Sequence, residues 1–172
     1  MRPSSKNIIL IGFMGVGKTT IGKELARLLQ REFVDLDQAI EADANQTVLE
    51  IFQNEGEEAF RKRENTKFME LFESDNRIIS FGGGAFLQSD IQKVSLEDGI
   101  VVFLDISFPL WLKRLPSLIA DRPVLQNKNH EEIRTLFVSR REVYLKGHHT
   151  LNTDHMSPIQ IADNIAKTIL QA

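Results

Sequence analysis

The chain contains no cysteine. That excludes disulfides and thiolate metal centres, and it suits a reducing compartment. Nor is there an excess of basic residues: 21 Lys and Arg stand against 24 Asp and Glu, for a net charge of −3. No overall field therefore draws the molecule to nucleic acid. Long apolar runs are missing too. The one in MRPSSKNIILIGF falls far short of the roughly 20 residues a membrane span needs, and no small-residue cleavage site follows it. Low-complexity tracts and internal repeats are absent. The reading is of a monomeric cytoplasmic protein with neither nucleic acid nor membrane as partner. What remains is a chain of 172 residues, 42% of them hydrophobic, which is enough for one domain with a sizeable core.

Short apolar runs alternate with longer helical patterns. Strands are predicted at 7–12, 33–35, 77–81, 99–105 and 148–153, and helices at 18–30, 47–53, 57–73, 109–115, 131–146 and 158–170. The first, third and fourth strands are rich in Ile and Val with little polar alternation, as in a parallel sheet covered on both faces. Such alternation predicts an α/β fold: a three-layer, doubly wound parallel sheet of about five strands forming a single domain over 1–172. Segment 116–130 holds two prolines and two asparagines without periodicity, and its length suits a mobile lid.

After the first strand comes GFMGVGKT, residues 12–19, which matches G-x-x-x-x-G-K-[ST] in the strand-to-helix context that motif requires. Glycines allow the backbone to curl so that successive N–H groups face phosphate oxygens, and the helix N-terminus adds its partial positive charge. Gly15, Val16, Gly17, Lys18, Thr19 and Thr20 are thus the candidate nucleotide cradle. Lys18 would reach the β- and γ-phosphates and Thr19 would ligate Mg²⁺. A GTPase switch would need D-x-x-G and N-K-x-D. No Asp is followed three residues later by Gly, and Asn127–Lys128–Asn129–His130 lacks the final Asp. The expectation is a small phosphotransferase using ATP.

Three further features suit an acceptor site. FVDLD, at 33–37, resembles a buried strand whose end carries Asp35 and Asp37; in extended chain these point to one side. Asp35 would face Mg²⁺ and Asp37 an acceptor hydroxyl, with a helix cap as the alternative for Asp37. In EGEEAFRKRE, Arg61 and Glu64 share a helix face, so Glu64 could orient the guanidinium towards an acceptor carboxylate; an exposed charged face is the competing reading. Gly82, Gly83 and Gly84 directly follow a buried strand, where the loss of three side chains points to close ligand approach.

GFMGVGKT, FVDLD, GEEAFRKRE, GGG, DRPVL and RREVY, in this order, resemble the shikimate kinase family over nearly the whole chain. The resemblance implies transfer of the γ-phosphate of ATP to the 3-hydroxyl of shikimate, with Mg²⁺, on a P-loop kinase fold. It implies that Asp37 binds hydroxyls and is the candidate base, that Asp35 lies near Mg²⁺, and that Arg61 and Arg140 hold the carboxylate. Gly83, within the glycine triplet, would touch substrate through its backbone, and Arg122 would reach from the lid to the phosphates alongside Lys18. Arg114 is the choice for the adenine side. The chain departs from the family's frequent R-P-L-L at Arg122–Pro123–Val124–Leu125. A gluconate-type kinase is the runner-up. Trp111, with Leu110, Leu112 and Leu115 beside it, reads as packing, as do Phe60, Phe68 and Phe72.

Overall fold

The computed structural model describes residues 4–171; residues 1–3 and 172, which belong to the domain span expected from sequence, lie outside the described residues. The elements run β1 (Ile8–Ile11), α1 (Lys18–Leu29), β2 (Glu32–Asp35), α2 (Leu36–Ala44), α3 (Val48–Glu55), α4 (Glu57–Phe72), β3 (Arg77–Ser80), α5 (Ser89–Asp98), β4 (Ile100–Asp105), α6 (Phe108–Leu112), α7 (Leu115–Leu118), α8 (His130–Tyr144), β5 (His149–Asn152) and α9 (Pro158–Gln171). The strands form one parallel sheet in the order β2-β3-β1-β4-β5, with helices on both sides.

β1 is the axis of the sheet. All four of its residues are buried, and Ile9 is in register with Ile79 on one side and Val101 on the other. Apolar, β-branched side chains on both faces suit a strand with helices above and below. The chain leaves β1 for the far edge, returns through β3, then crosses to β4 on the opposite side. That reversal opens a crevice beyond the carboxyl end of β1. The glycine loop, the end of β2 and the glycine triplet after β3 all meet there. On one face α1 packs on α9, whose Ile161, Ala162, Ile165, Ala166 and Ile169 form one buried stripe.

The structure corrects several expectations. β2 is an edge strand without a fully buried residue, Glu32 being exposed and the other three half-buried, because it has a neighbour on one side alone. It ends at Asp35, and Asp37 already lies in the first turn of α2. α2 and α5 have no counterpart among the predicted helices; the residues they bury are Leu36 and Ile40 in one and Ile91 and Ser95 in the other. Segment 116–130 is not irregular throughout: α7 is followed by 3-10 turns at Ile119–Asp121 and Pro123–Leu125, and the predicted helix over 109–115 divides into α6 and the start of α7.

Candidate active site

A cavity of about 530 Å³ opens beyond the carboxyl end of β1, lined by Gly15, Gly17, Lys18, Thr19 and Thr20 from the cradle, with Asp35, Asp37, Gly82, Gly83 and Arg122 facing them. Val16 is not on its wall; the side chain is buried against Gly12. Gly15 and Gly17 have φ of +80° and +104°, where a side chain would be strained. Gly17 is also the N-cap of α1 and brings no side chain to satisfy the first amides of the helix, so an outside anion is their natural partner. Lys18 is buried and its ammonium donates to Gly12 O at 2.8 Å and Phe13 O at 3.2 Å. Burial, then the charge of Arg122, lowers its pKa to about 7, while Asp37 and Asp35 pull the other way. A polyphosphate beside it would restore the charge.

The D-x-D pair converges through a change of backbone, not through strand alternation. Asp35 closes β2 and caps α2: its Oδ1 accepts from Gln38 N at 3.0 Å, and its Oδ2 accepts from Thr19 Oγ1 at 2.7 Å. The cap expected as the alternative role for Asp37 therefore falls to Asp35, and Asp37 is left to face the cavity. A hydroxyl and a carboxylate side by side are hard oxygen donors. They fit Mg²⁺, which binds through one or two protein oxygens plus phosphates and water, not in an all-protein cage. Burial, reinforced by the charges of Glu64 and Asp35, raises the Asp37 pKa to about 7.

A second, narrower cavity of about 50 Å³ adjoins the first and shares Asp37, Gly82, Gly83 and Arg122 with it. Arg61 and Arg140 enter from opposite elements, α4 and α8. Arg61 donates to Glu64 Oε1 at 2.9 Å, and the same oxygen takes a 2.6 Å bond from Gln88 Nε2. Glu64 is fully buried, which disposes of the exposed-face reading for this part of the charged run. Burial raises the Glu64 pKa, and Arg61 opposes that rise. The neighbouring arginines of α8 divide clearly: Arg141 chelates Asp105 with bonds of 2.7–3.2 Å, whereas Arg140 is buried and turned into the cavity.

Each glycine of the triplet makes room for a different one of these groups. A Cβ on Gly82 would lie 2.7 Å from Asp37, one on Gly83 would lie 2.9 Å from Arg140, and one on Gly84 would lie 2.5 Å from Arg61. Tyr144 OH donates to the Gly83 carbonyl and fixes the centre of the turn against α8. Sequence patterns leave several wall residues unassigned. Met14, Val48, Phe52 and Phe60 line the narrow cavity, although the spacing of Phe60 marks it only as core. An apolar stripe looks the same whether it faces the core or a ligand. Arg114 lies against the glycine loop and donates to Gly15 O at 2.8 Å and Val16 O at 3.1 Å.

Among the described residues, four buried side-chain polar atoms lack a hydrogen-bond partner: Asp37 Oδ1, Glu64 Oε2, Arg140 Nε and Ser95 Oγ. The first three belong to residues lining the narrow cavity. Buried polar groups are ordinarily satisfied, so this site calls for a ligand that donates to carboxylates and accepts from a guanidinium.

Comparisons with known proteins agree with this chemistry. The shikimate kinase family model matches residues 14–170. A shikimate kinase from Bacillus pumilus is 45% identical over 95% of this chain and 89% of its own length. The solved structure of a shikimate kinase from Acinetobacter baumannii in complex with shikimate superposes with a TM-score of 0.92 at 37% identity, covering 98% of this chain and 95% of that one. A gluconokinase from Sinorhizobium meliloti, at TM-score 0.61 and 14% identity, shares the fold alone. The glycine cradle, the crevice and the paired arginines thus sit in a chain that belongs to the shikimate kinase family.

Proposed function

We propose that this protein transfers the γ-phosphoryl group of ATP to the 3-hydroxyl of shikimate, giving shikimate 3-phosphate and ADP. One observation carries the reading to the acceptor: three unpartnered buried polar atoms, on Asp37, Glu64 and Arg140, surround a cavity of about 50 Å³ that opens into the nucleotide cavity. A small cyclic acid with several hydroxyls supplies both kinds of partner, a donor for a carboxylate and an acceptor for a guanidinium. Its carboxylate pairs with Arg61 and Arg140, and its hydroxyls donate to Asp37.

The amides of the glycine loop and Lys18 hold the β- and γ-phosphates. The attacking hydroxyl oxygen bonds to the γ-phosphorus as the bond from that phosphorus to the bridging oxygen breaks. Asp37 takes the hydroxyl proton, and the bridging oxygen leaves with ADP. Little covalent work falls to the protein. Rate comes from in-line placement, which contributes roughly 7–11 kcal/mol, and from positive charge on the moving group. Lys18 and Arg122 supply that charge. Thr19 and Asp35 are the residues that would hold Mg²⁺, which when bound neutralises phosphate charge. Segment 116–130, which carries Arg122, acts as a lid that excludes water from the phosphoryl group. The reading extends to a monomer in the cytoplasm; among the described residues no helix is long and apolar enough to cross a membrane.

The test is ADP release, followed in a coupled assay with shikimate, with gluconate and with no acceptor. Release dependent on shikimate is expected. Release that gluconate alone stimulates, or that needs no acceptor, overturns the proposal.

A further inference from the structure

A loop that turns its amides towards phosphate must turn its carbonyls away, and those carbonyls then need donors of their own. Every carbonyl from Gly12 to Gly17 has one. Lys18 Nζ serves Gly12 and Phe13, and Val16 N also reaches Phe13 O at 3.2 Å. Ile21 N serves Gly17 O at 3.0 Å, within the first turn of α1. These donors are local in sequence. The middle three carbonyls are different. Trp111 Nε1 donates to Met14 O at 2.7 Å, and Arg114 donates to Gly15 O and Val16 O. Both donors come from α6 and the turn after it, nearly a hundred residues further along the chain.

Trp111 is well fixed for this task. It is fully buried, edge-on to Phe13 with ring centroids 4.9 Å apart and stacked on Phe108 at 5.9 Å. An indole has one donor and no acceptor, so its single polar atom is committed to Met14. The peptide bond is planar and trans, with carbonyl and N–H pointing in opposite directions. Holding the Met14 carbonyl outward therefore holds the Gly15 N–H inward, on the side where Gly15 lines the large cavity. Met14 borders both cavities, so the same bond steadies the wall between donor and acceptor.

We infer that Trp111 is a positioning residue for the nucleotide: its indole N–H locks the Met14–Gly15 peptide so that the Gly15 amide meets a phosphate oxygen. The inference rests on the reading of the large cavity as the nucleotide site. It gives this tryptophan a role that its apolar surroundings conceal.

The chain has a single tryptophan, so replacing tryptophan globally with benzothienylalanine in an auxotroph alters this side chain alone. The substitute keeps the shape of the indole and removes its N–H. Trp111→Phe provides a second, genetically encoded variant. ATP affinity is measured without acceptor, shikimate affinity without nucleotide, and melting temperature without either. Loss of the donor is expected to weaken ATP binding about tenfold with shikimate affinity within twofold, and, since a buried carbonyl is left unpaired, to lower the melting temperature of the benzothienylalanine protein by only a few degrees. An ATP affinity within twofold of the parent overturns the inference. So does a parallel fall of ATP affinity, shikimate affinity and melting temperature, which would mark a packing role. The ATP titration involves no transfer to shikimate, so it is decided independently of the proposed reaction.

Discussion

A methyl group on Gly82 would lie 2.7 Å from both carboxylate oxygens of Asp37. The closeness ties the turn after β3 to the first turn of α2, and it makes the glycine as much a part of the site as the acid. Gly82 does not have positive φ, so alanine there is strained only by its contact with Asp37. Gly82→Ala is expected to push the carboxylate aside and lower kcat by about a hundredfold or more, in line with the sensitivity of catalysis to misplacement by about an ångström. ATP affinity should be retained. Steady-state kinetics with a nucleotide titration check this; a variant with parental kcat would remove Asp37 from the reaction.

Asp37 should also set the pH dependence. With its pKa raised to about 7 by burial, kcat/KM for shikimate at saturating ATP is expected to rise with pH through about 7, because only the carboxylate can accept the proton. Stability runs the opposite way. Between the ordinary value of 3.8 and about 7, the unfolded chain has released a proton that the folded chain still holds, so stability falls as pH rises across that window. Asp37→Asn removes the cost. Without ligands it should be the more stable protein at pH 8, by on the order of 1–3 kcal/mol, with the gap closing towards pH 4. Denaturant titrations at the two pH values decide the matter: a variant less stable at pH 8 contradicts the assignment.

The adjacent arginines Arg140 and Arg141 of α8 separate cleanly. Arg140→Ala, like Arg61→Ala, should raise KM for shikimate by about a hundredfold, the scale of a lost charge-assisted pair, while ATP binding stays near the parental level. Arg141→Ala loses an ion pair between a half-exposed arginine and the buried Asp105, neither of which lines the cavities, and should change KM by less than about threefold. Equal effects at 140 and 141 would show that the carboxylate site is misplaced.

Arg122 lines both cavities. Arg122→Ala is expected to lower kcat by about a hundredfold or more, as loss of a phosphate-neutralising arginine does in phosphoryl transfer, with a modest effect on KM for shikimate. Single-turnover kinetics isolate that step, and an unchanged rate would exclude Arg122 from it.

Asp35→Asn keeps the cap on α2, since an amide oxygen can still accept from Gln38 N. It removes the charge beside Thr19. The expected result is a metal requirement raised about tenfold, the lower end of what a lost supporting group costs a metal site, read from activity as a function of Mg²⁺ concentration. An unchanged requirement would assign Asp35 to capping alone.

Much of the site is legible in the chain because phosphate binding is a local matter. GFMGVGKT writes its own backbone: glycines supply positive φ, and the lysine and threonine follow at fixed spacing. Unbroken apolar runs likewise mark β1, β3 and β4, and apolar periodicity marks α1 and α9. Short elements such as α2 and α5, of nine and ten residues, leave little pattern, and the period-two argument for Asp35 and Asp37 fails where strand becomes helix between them.

By itself, then, the amino-acid order determines the cradle, the parallel α/β architecture and the identity of the charged groups, since each depends on residues within a turn or two of one another. Only the tertiary structure decides which groups meet: that Asp35 caps α2 while Asp37 faces the cavity, that Arg140 rather than Arg141 turns inward, that each glycine yields space to a different side chain, and that Trp111 reaches back to Met14. Those partners are distant in sequence, and they are joined by strand order and by packing around β1, which no local pattern encodes.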